Sequence, residues 1–483
     1  MEIKIYQGEP EPARLVTCFQ DLEPVGLPQE LHELVTDMQA NDEFKGKFGE
    51  THTIRLKGTP RHVIVIGLGK QGELTLEQVR KIVGKAVKAA LKLKTSGLDI
   101  FPAEFGDFAP PHLARAIAEA AELAAYKFDS YKSERQQPTL ESVNLVWAES
   151  QEVPLALAEG KALATATSLA RRLVNEPANK MTPAQLAAEA EAMGESNNIE
   201  VEILEEDRIQ ALGMEAFMSV ARASTNRPRL IVMRHRGAPE SDRMLALVGK
   251  GLTYDSGGLS IKPTEGMAFM KCDMGGAAAV VGAMAAIGEM KLPANVVGIV
   301  AACENMIAGN AYKPGDIIGS MGGKTIEVGN TDAEGRLTLA DAITYAIREE
   351  KASHVLDIAT LTGAALIALG DVHTAVLASD DSLFGELEYA AELSGEKIWR
   401  LPHDPEYKVL LKSDVADLRN TGTQRLAGTI AAGLFLQEFT EEKPWLHLDI
   451  AGTAWTSKEG DYSDKGGTGW GVRTLYHLAK QNG

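Results

Sequence analysis

The segment Val328-Gly-Asn-Thr-Asp-Ala-Glu-Gly-Arg-Leu337 places two carboxylates, Asp332 and Glu334, two residues apart in a glycine-flanked stretch. The apolar run that follows predicts a helix from Thr338 to Glu349. Residues i and i+2 of an extended segment project to the same side, so we expect both carboxylates to face one point. Carboxylate oxygens bind divalent cations, and glycine lets the backbone approach them closely. The segment therefore predicts a metal-binding loop, with the positive charge of Arg336 beside it.

A second group of charged residues lies upstream in two more glycine-rich stretches. The stretch Gly249–Gly258 is followed by Lys262 and then by the stretch Met270–Gly276. With the first segment they supply four carboxylates and three basic side chains, which we expect in loops at one site: Asp255, Asp273, Asp332, Glu334, Lys250, Lys262 and Arg336. None of the ten histidines lies in either group. A metal centre here is therefore predicted to use oxygen ligands and a lysine.

Length and composition indicate a globular protein of two or more domains, because 483 residues exceed one ordinary domain of about 150 residues. The three cysteines, Cys18, Cys272 and Cys303, are odd in number and far apart. This argues against a disulfide framework and predicts a reducing, cytoplasmic setting. The first residues also lack the apolar core of a secretion signal.

Charge and hydropathy exclude several kinds of partner. The net charge of −18 disfavours binding to nucleic acid or to anionic membranes. The most membrane-like stretch, Met274–Gly288, consists largely of Ala and Gly and falls short of the ~18 apolar residues that a span needs. We therefore predict a buried helix there, packed closely through its small residues, and no membrane partner.

Alternating strand-like and helix-like runs predict an α/β fold in both halves of the chain. The first half is predicted to contain strands at His62–Gly67, Leu98–Phe101 and Ser142–Trp147 and helices at Leu76–Leu93 and His112–Tyr126. A long Ala-rich helix is predicted at Leu155–Val174. The second half is predicted to contain strands at Leu230–Met233, Met244–Val248, Asn295–Ala302, His354–Ala359, Ala375–Ala378 and Leu446–Ile450. The acidic motifs follow predicted strands, which is where open α/β sheets place their ligands.

Taken together, the motifs resemble those of the cytosolic leucyl aminopeptidase family, which are hexameric enzymes with two metal ions per active site. The resemblance is carried by GKGLTYDSGGLSIKP from Gly249, MKCDMGGAAAV from Met270 and NTDAEGRL from Asn330, and by RRLVNEPANKMTP, DIATLTGA, SDVADLRN and LHLDIAGTAW in family order. It extends from Arg171 to the C-terminus. It implies a smaller N-terminal α/β, macro-like domain for regulation or assembly (1–154), a linking helix (155–174) and a larger α/β catalytic domain (175–483) whose central mixed sheet is flanked by helices.

The resemblance also implies a ligand set for two divalent ions, Zn²⁺ or Mn²⁺. Asp255 and Glu334 would bridge the two ions, and Asp332 would complete one of the two sites. Lys250, as a neutral amine, and Asp273 would complete the other. A water activated between the ions would then attack the peptide bond.

Further roles implied by the resemblance concern catalysis and substrate binding. Lys262 would stabilise the oxyanion, and Arg336 would hold a bicarbonate ion that shuttles the proton. The small side chain of Ala454 leaves the depth of the side-chain pocket open. Four residues would line that pocket: Met270, Thr360, Gly363 and Ala451. The implied function is release of N-terminal residues, preferably apolar ones such as Leu or Met, from peptides by a cytoplasmic homohexamer.

Several single motifs are predicted to be structural. Gly67-Leu-Gly-Lys-Gln-Gly72 matches a dinucleotide-binding pattern, but the region about 20 residues further on is basic where that fold needs an acidic residue. A tight strand-to-helix turn is the stronger interpretation. His32-Glu33 does not begin a zinc-binding helix, because Thr36 stands where the second histidine is needed. We also predict structural contacts for His373, His403 and His447, a core thiol at Cys272, and a solvated or helix-capping role for Asp341.

Two other functions stay open on the residues alone. One is a two-metal phosphoesterase, since metal pairs held by carboxylates also hydrolyse phosphate esters, although such sites often use histidines. The other is a non-catalytic structural or DNA-binding assembly that retains a relict site. An aminoacyl amide assayed beside a phosphate ester, with and without added Mn²⁺ or Zn²⁺, distinguishes these functions from aminopeptidase activity.

Overall fold

The computed structural model describes residues 1–6, 8–21, 27–135, 138–147, 151–422, 424 and 426–483. The chain divides into two units, Met1–Thr165 with Lys458–Asp464 and Ala166–Ser457 with Lys465–Gly483. Each unit has its own sheet and its own hydrophobic core. The domain limits that the sequence predicts, 1–154, 155–174 and 175–483, stay predictions.

A six-stranded sheet forms the centre of the first unit. Its strands are β1 (Glu2–Ile5), β2 (Ala13–Cys18), β3 (Thr51–Arg55), β4 (His62–Gly67), β5 (Gly97–Ile100) and β6 (Ser142–Leu145). They lie in the order β1-β6-β5-β2-β4-β3, and all neighbours are parallel except the antiparallel pair β3 and β4. The helices are α1 (Gln29–Ala40), α2 (Leu76–Lys92) and α3 (Pro110–Ala125), with a 3₁₀ turn at Pro102–Phe105. Parallel sheets are covered on both faces, which explains the continuous apolar run of β4.

The turn Gly67–Gly72 leads from β4 toward α2. Gly69 and Gly72 adopt φ angles of 79° and 83°, which favour glycine. Helix α2 begins beyond the turn and is closed by a capping box. In this box the hydroxyl of Thr75 accepts from the backbone N–H of Gln78, and the side chain of Gln78 accepts from the N–H of Thr75 at 2.8 Å. This geometry agrees with the tight-turn interpretation.

The strands of the second unit form one large sheet and two small ones. They are β7 (Glu200–Leu204), β8 (Arg229–Arg236), β9 (Met244–Asp255), β10 (Asn295–Asn305), β11 (Ile317–Ile318), β12 (Ile326–Glu327), β13 (His354–Ala359), β14 (Thr374–Ala378), β15 (Ile398–Arg400), β16 (Leu418–Arg419), β17 (Trp445–Asp449), β18 (Trp455–Thr456) and β19 (Gly466–Gly467). The large sheet has the order β15-β14-β17-β13-β9-β10-β8-β7. Its four central strands, from β17 to β10, are parallel, whereas β7, β8 and β14 introduce antiparallel pairs.

Helices flank this mixed sheet. Helix α4 (Val153–Asn175) runs through the point in the chain where the first unit ends and the second begins. The others are α5 (Pro183–Asn197), α6 (Glu206–Ala211), α7 (Glu215–Ala221), α8 (Thr264–Met267), α9 (Gly275–Glu289), α10 (Gly335–Arg348), α11 (Gly363–Leu369), α12 (Asp381–Ser394), α13 (Gly428–Gln437) and α14 (Val472–Gln481), with 3₁₀ turns at Met270–Cys272 and Pro405–Leu411. The residues of α9 from Gly275 to Gly288 are buried, which confirms the predicted buried helix. Across the described ranges, each helix is too short or too polar to cross a lipid bilayer.

Strand β9 is longer than predicted, because it continues from Val248 to Asp255. The sequence analysis placed its glycine-rich part in a loop, and that expectation is wrong. A Cβ atom on Gly249 would lie 2.7 Å from the carbonyl oxygen of Gly276, and one on Gly276 would lie 2.0 Å from the carbonyl oxygen of Ile358. The glycines therefore let α9 lie directly on the strands, and they do not end β9.

Candidate active site

Four neighbouring parallel strands end at one edge of the large sheet. Strand β10 ends at Asn305, β9 at Asp255, β13 at Ala359 and β17 at Asp449. The carboxyl ends of parallel strands meet at the same edge, where open α/β sheets bind ligands. The charged residues singled out in the sequence collect along this edge.

Lys250 lies inside β9 at the centre of the site and is buried. Its Nζ atom lies 2.8 Å from Asp273 Oδ2 and 2.8 Å from Glu334 Oε1. It also donates a hydrogen bond to the carbonyl oxygen of Thr360 at 3.0 Å. The hydroxyl of Thr360 in turn donates to Asp273 Oδ1 at 2.8 Å. One ammonium group therefore joins β9 to the segment after β13, the start of α9 and the start of α10.

Lys262 joins the other two carboxylates. Its Nζ atom lies 2.7 Å from Asp255 Oδ2 and 2.5 Å from Asp332 Oδ1. The side chain of Asp255 is 2% exposed, whereas that of Asp332 is 31% exposed. The four carboxylates thus form two groups, each around one lysine, and Asp332 lies on the solvent side.

The loop that carries Asp332 and Glu334 is not extended, so the same-side argument from the sequence is wrong. Asp332 lies in a turn, where its N–H donates to Asn330 Oδ1 at 2.8 Å. Glu334 has helical angles (φ −78°, ψ −36°) and is the N-cap residue of α10. A Cβ atom on Gly335 would lie 2.4 Å from Cε of Lys250, so the absence of a side chain there allows the close approach. The turn brings the two carboxylates to different lysines.

Burial and neighbouring charges act in opposite directions on these groups. Burial raises the pKa of Asp273 to about 8 and the pKa of Asp255 to about 6. Lys250 and Lys262 lower both pKa values, but this effect is smaller than the combined effect of burial and the neighbouring carboxylates. Burial lowers the pKa of Lys250, but Asp273 and Glu334 raise it by more, so that its net pKa lies above the ordinary value. Burial raises the pKa of Glu334, yet Lys250 and Lys262 bring it below its usual value. Additional positive charge would therefore stabilise the ionised carboxylates.

Three of the carboxylates can hold one cation. Ligand oxygens of Asp255, Asp273 and Glu334 all lie within 4.8 Å of one another, and all three residues are buried. Among the residues that the structure describes, the buried Oε2 atom of Glu334 has no hydrogen-bond partner. Buried carboxylate oxygens are normally bonded, so this atom points to a missing cationic partner. Oxygen donors suit hard or borderline divalent ions, and the residues present fit such an ion.

Arg336 lies in the first turn of α10 and is 7% exposed. Its Nη1 atom donates to the carbonyl oxygen of Asn420 at 2.7 Å, and its buried Nε atom has no hydrogen-bond partner within the described part of the chain. Burial lowers the pKa of Arg336 to about 10, although Glu334 and Asp449 act to raise it. The guanidinium thus retains a donor for a further partner.

The residues expected in the substrate pocket lie on segments that meet at the same edge. Thr360 follows β13, Gly363 begins α11, Ala451 follows β17 and Met270 begins the 3₁₀ turn that precedes α9. A Cβ atom on Gly363 would have no heavy atom of the other described segments within 4 Å, so these segments leave space over this residue. Thr360 also holds Lys250 and Asp273, a contact that the sequence analysis did not foresee.

Two buried asparagines that support the site were missed in the sequence. Asn305 donates to Asp255 Oδ1 at 2.8 Å and to the carbonyl oxygen of Thr331 at 3.0 Å. Asn420 accepts from the N–H of Gly329 at 2.7 Å and donates to the carbonyl oxygen of Asn330 at 2.7 Å. A signal for Asn305 existed, because it follows a predicted strand. The bonding partners of the two asparagines could not be predicted from the sequence, because they lie far away along the chain.

The structure also tests the predictions for Cys272 and for three histidines. Cys272 is a buried thiol, and burial raises its pKa to about 12, which confirms the core assignment. His447 Nδ1 lies 2.6 Å from Asp357 Oδ1, a structural polar contact as predicted. His403 also makes a polar contact, with Gln437 at 2.9 Å, whereas His373 packs edge-on against the ring of Trp399.

Asp341 was predicted to be solvated or to cap a helix, and the prediction of a solvated side chain is wrong. This residue is fully buried in α10, and its carboxylate accepts backbone N–H groups from Phe217 at 2.9 Å and Met321 at 2.8 Å. Phe217 lies in the first turn of α7. Asp341 therefore caps another helix from within the core.

Fold and site together define a two-unit α/β protein with a buried carboxylate cluster that fits a divalent cation. The cytosol aminopeptidase family matches the chain in both parts, its catalytic domain at residues 168–476 and its N-terminal domain at residues 16–135. A probable cytosol aminopeptidase from Clostridium perfringens is 48% identical over 478 residues, which cover 97% of this chain and 96% of that protein. Another from Alkaliphilus oremlandii is 46% identical, with coverage of 93% and 92%.

Solved structures agree with these relatives. The bottromycin maturation enzyme BotP in complex with Mn is 34% identical, with a TM-score of 0.88 and coverage of 98% of this chain and 99% of that one. A mutant of tomato leucine aminopeptidase is 35% identical, with a TM-score of 0.90 and coverage of 99% and 96%. The chain belongs to the cytosol aminopeptidase family, as the motifs predict, and is an aminopeptidase. The predicted two-part α/β fold with a mixed catalytic sheet is confirmed.

Proposed function

We propose that this aminopeptidase depends on two divalent metal ions and prefers peptides that begin with an apolar residue such as Leu or Met. The observation that carries the proposal is the meeting of three buried carboxylates, Asp255, Asp273 and Glu334, within 4.8 Å of one another. The unbonded Oε2 atom of Glu334 adds to it. A cluster of this kind is costly to bury unless cations complete it.

The proposed ligands fall into two sets, for Zn²⁺ or Mn²⁺. Asp255 and Glu334 would serve both ions, with Asp332 in one set and Lys250 and Asp273 in the other. When bound, the ions would supply a water-derived nucleophile at neutral pH and polarise the scissile carbonyl. Lys250 has to lose its proton to act as a ligand, because an ammonium group offers no lone pair. The carboxylates alone raise the pKa of Lys250, and cations bound to the same carboxylates would lower it.

Lys262 is proposed to stabilise the negative charge that develops on the carbonyl oxygen. Its ammonium group now pairs with Asp255 and Asp332, which are proposed ligands. Cations that engage these carboxylates would weaken both pairs and leave the ammonium group free to donate toward substrate. The side chain of Lys262 is 18% exposed, so one side of it is accessible. A charge-assisted donor at such a position stabilises the transition state more than the ground state.

Arg336 is proposed to hold a bicarbonate ion that accepts and returns the proton. The two groups of charged residues contain no histidine, and each of their carboxylates is assigned to a cation. The fork of a guanidinium group binds planar oxyanions through two parallel hydrogen bonds. The buried Nε atom of Arg336 bonds to none of the described residues, which supports its availability for such a bond.

Selection for the N-terminus of a peptide follows from the proposed ligand sets. A free α-amine has a lone pair for a cation held near Asp273 and Lys250, whereas the lone pair of an amide nitrogen is delocalised into its carbonyl group and binds cations poorly. The first side chain would then lie against Met270, Thr360 and Ala451 and over the open space at Gly363. These groups are largely apolar and uncharged, which supports a preference for apolar side chains.

A homohexamer and a cytoplasmic location are proposed on the family resemblance. The name of the relatives, cytosol aminopeptidase, supports the location. Peptides are the proposed partners, whereas nucleic acid is not expected at a net charge of −18. Sedimentation of the purified chain would test the hexamer.

The function is tested by comparing four substrates on the metal-loaded enzyme: a leucyl amide, a glycyl amide, an N-acetyl-leucyl amide and a phosphate ester. We expect rapid release from the leucyl amide only when Mn²⁺ or Zn²⁺ is present, slower release from the glycyl amide, and no cleavage of the acetylated amide. Turnover of the phosphate ester at a comparable rate would favour a phosphoesterase. Equal turnover of blocked and free amides would contradict the proposed binding of the amine.

A further inference from the structure

The carboxylate of Asp449 lies at the end of β17 and bonds to two segments of the active site. Asp449 is 1% exposed. Its Oδ1 atom accepts from the backbone N–H groups of Leu361 at 3.1 Å, Thr362 at 3.3 Å and Ala451 at 3.2 Å. Its Oδ2 atom accepts from the hydroxyl of Thr362 at 2.5 Å. A single buried carboxylate therefore receives four donors from the segments 360–363 and 450–452.

These two segments carry three of the four residues proposed for the substrate pocket, namely Thr360, Gly363 and Ala451. Strands β13 and β17 are parallel neighbours, with Ala359 opposite Asp449, so both segments leave the sheet at the same level. The backbone ladder continues one bond past Asp449, where the N–H of Ile450 donates to the carbonyl oxygen of Ala359 at 2.8 Å. The bonds from Leu361 and Thr362 to Asp449 extend this connection beyond the ladder and fix the distance between the two walls of the pocket.

The same segment is also connected to the cation site. Thr360 directly precedes Leu361 and Thr362, whose N–H groups donate to Asp449. Thr360 also forms hydrogen bonds with Lys250 and Asp273. The hydroxyl of Thr362 further accepts from the N–H of Ala365, which closes the first turn of α11, where Gly363 lies. A shift of this segment would therefore move the pocket wall and the support of the site together.

We infer that Asp449 is a positioning residue that sets the shape of the pocket for the N-terminal side chain by holding the segments after β13 and β17 at a fixed separation. The inference rests on the proposed pocket. Asp449 itself touches no substrate in this scheme. Supporting residues of this kind act through geometry, and a displacement of about 1 Å at a reacting centre can cost about 10²-fold in rate.

The test compares Asp449→Ala with Asp341→Ala. Asp341 is a matched control, because it is an equally buried aspartate of the same unit that accepts backbone N–H groups, from Phe217 and Met321, on segments without proposed pocket residues. Both substitutions should lower the melting temperature. Only Asp449→Ala should reduce the ratio of kcat/KM for leucyl over glycyl amide, by about 10-fold or more, which is the usual scale for pocket contacts. It should also weaken binding of free leucine measured by calorimetry, a readout that does not depend on turnover.

Three conservative variants keep the test valid where Asp449→Ala fails to fold. Asp449→Asn retains one oxygen for the backbone donors but cannot accept from the Thr362 hydroxyl through its NH₂ group, so an intermediate loss of preference is expected. Thr362→Val removes that hydroxyl and Thr362→Ser retains it. We expect the serine variant to keep the leucine preference and the valine variant to lose part of it.

The possible failures are distinguishable. Ala451→Val, which narrows the proposed pocket directly, should also lower the preference for leucine. An unchanged preference in Ala451→Val would overturn the pocket, and the inference about Asp449 with it. A changed preference in Ala451→Val together with wild-type preference and leucine affinity in folded Asp449→Ala would overturn the inference alone. Equal effects of Asp449→Ala and Asp341→Ala would reduce Asp449 to a general structural role.

Discussion

Two buried glutamates, Glu104 in the first unit and Glu334 in the second, show different ways of placing a carboxylate inside a protein. Arg14 Nη2 lies 2.9 Å from Glu104 Oε1, and the N–H of Thr17 donates to Glu104 Oε2 at 2.9 Å. Both oxygens of Glu104 are therefore bonded within the chain. Glu334 contacts Lys250 through Oε1, while its Oε2 atom has no hydrogen-bond partner in the described ranges.

The difference separates a structural charge, that of Glu104, from one for which a function is proposed, that of Glu334. The Arg14 guanidinium also lies over the ring of Phe101, 3.8 Å from its centre, so this pair is fixed in place by packing as well as by charge. Around Glu334, by contrast, four carboxylates share the ammonium groups of two lysines. A buried acidic group that its own chain leaves incompletely bonded is a candidate site for an external cation.

The largest expected effect is the loss of one proposed bridging ligand. Glu334→Ala or Asp255→Ala should abolish measurable hydrolysis of a leucyl amide, because each variant removes an oxygen from both proposed ligand sets. Activity and metal content, the latter by atomic absorption, should be measured on the same preparation. Activity near that of the wild type in a metal-saturated variant would sink the assignment. Glu104→Ala is the matched control, for which we expect lower stability and an unchanged kcat/KM in the folded fraction.

Removal of metal should affect the carboxylate cluster around Glu334 and leave the Arg14–Glu104 pair unchanged, without any mutation. We expect chelation to stop hydrolysis reversibly and to lower the melting temperature. Occupancy at 100 times the dissociation constant stabilises a native state by about 2.7 kcal/mol per site. Differential scanning fluorimetry across a Mn²⁺ or Zn²⁺ titration measures this shift. Arg14→Met should melt earlier yet show the same metal-dependent shift as the wild type, since the Arg14–Glu104 pair contains none of the proposed metal ligands. A wild-type melting temperature independent of metal would argue against the proposed sites.

The sequence predicted the regular elements well where one periodic pattern decided them. Strand β4 has the predicted bounds His62–Gly67, and β13 has the predicted bounds His354–Ala359. In both, an apolar run is bounded by residues of different character. The extension of β9 through Gly249 was not predictable in this way. Glycine disfavours strands in general, and the helix that fills the space beside Gly249 is invisible in a local window.

For the site, the chemistry of the residues was easier to predict than their geometry. The carboxylates and lysines expected together are indeed neighbours, whereas their individual roles stay proposals. Asp332 and Glu334 reach different lysines because a turn and a helix cap replace the expected extended segment. The roles of Asn420 and Asp449 depend on partners far along the chain, and no local pattern marks a polar residue as the support of a distant loop.

The next largest effect is expected for Arg336, which lies two residues after Glu334 in the sequence and is not a proposed metal ligand. Arg336→Ala should keep its metals, since a guanidinium ligates none, and should lose the proposed proton relay. General-base catalysis typically contributes about 10²–10⁴-fold, so a loss of kcat in that range is expected. Bicarbonate added to carbonate-depleted buffer should raise the activity of the wild type and change that of the variant little. Full activity, or loss of the metals, would show that Arg336 has been given the wrong role.

The smallest effect on catalysis is expected at the completed pair of the first unit. Arg14→Met leaves the Glu104 carboxylate buried without its cation, and breaking such a pair typically costs about 3–5 kcal/mol of unfolding free energy. The double variant Arg14→Met with Glu104→Leu removes both charges and should recover most of that loss, because apolar residues often replace buried pairs at little cost. Urea denaturation measures the free energies of unfolding, and kcat/KM should stay at the wild-type value in both folded variants. A fall in kcat/KM that the double variant does not restore would show that this pair also serves catalysis, and the contrast between the two glutamates would then fail.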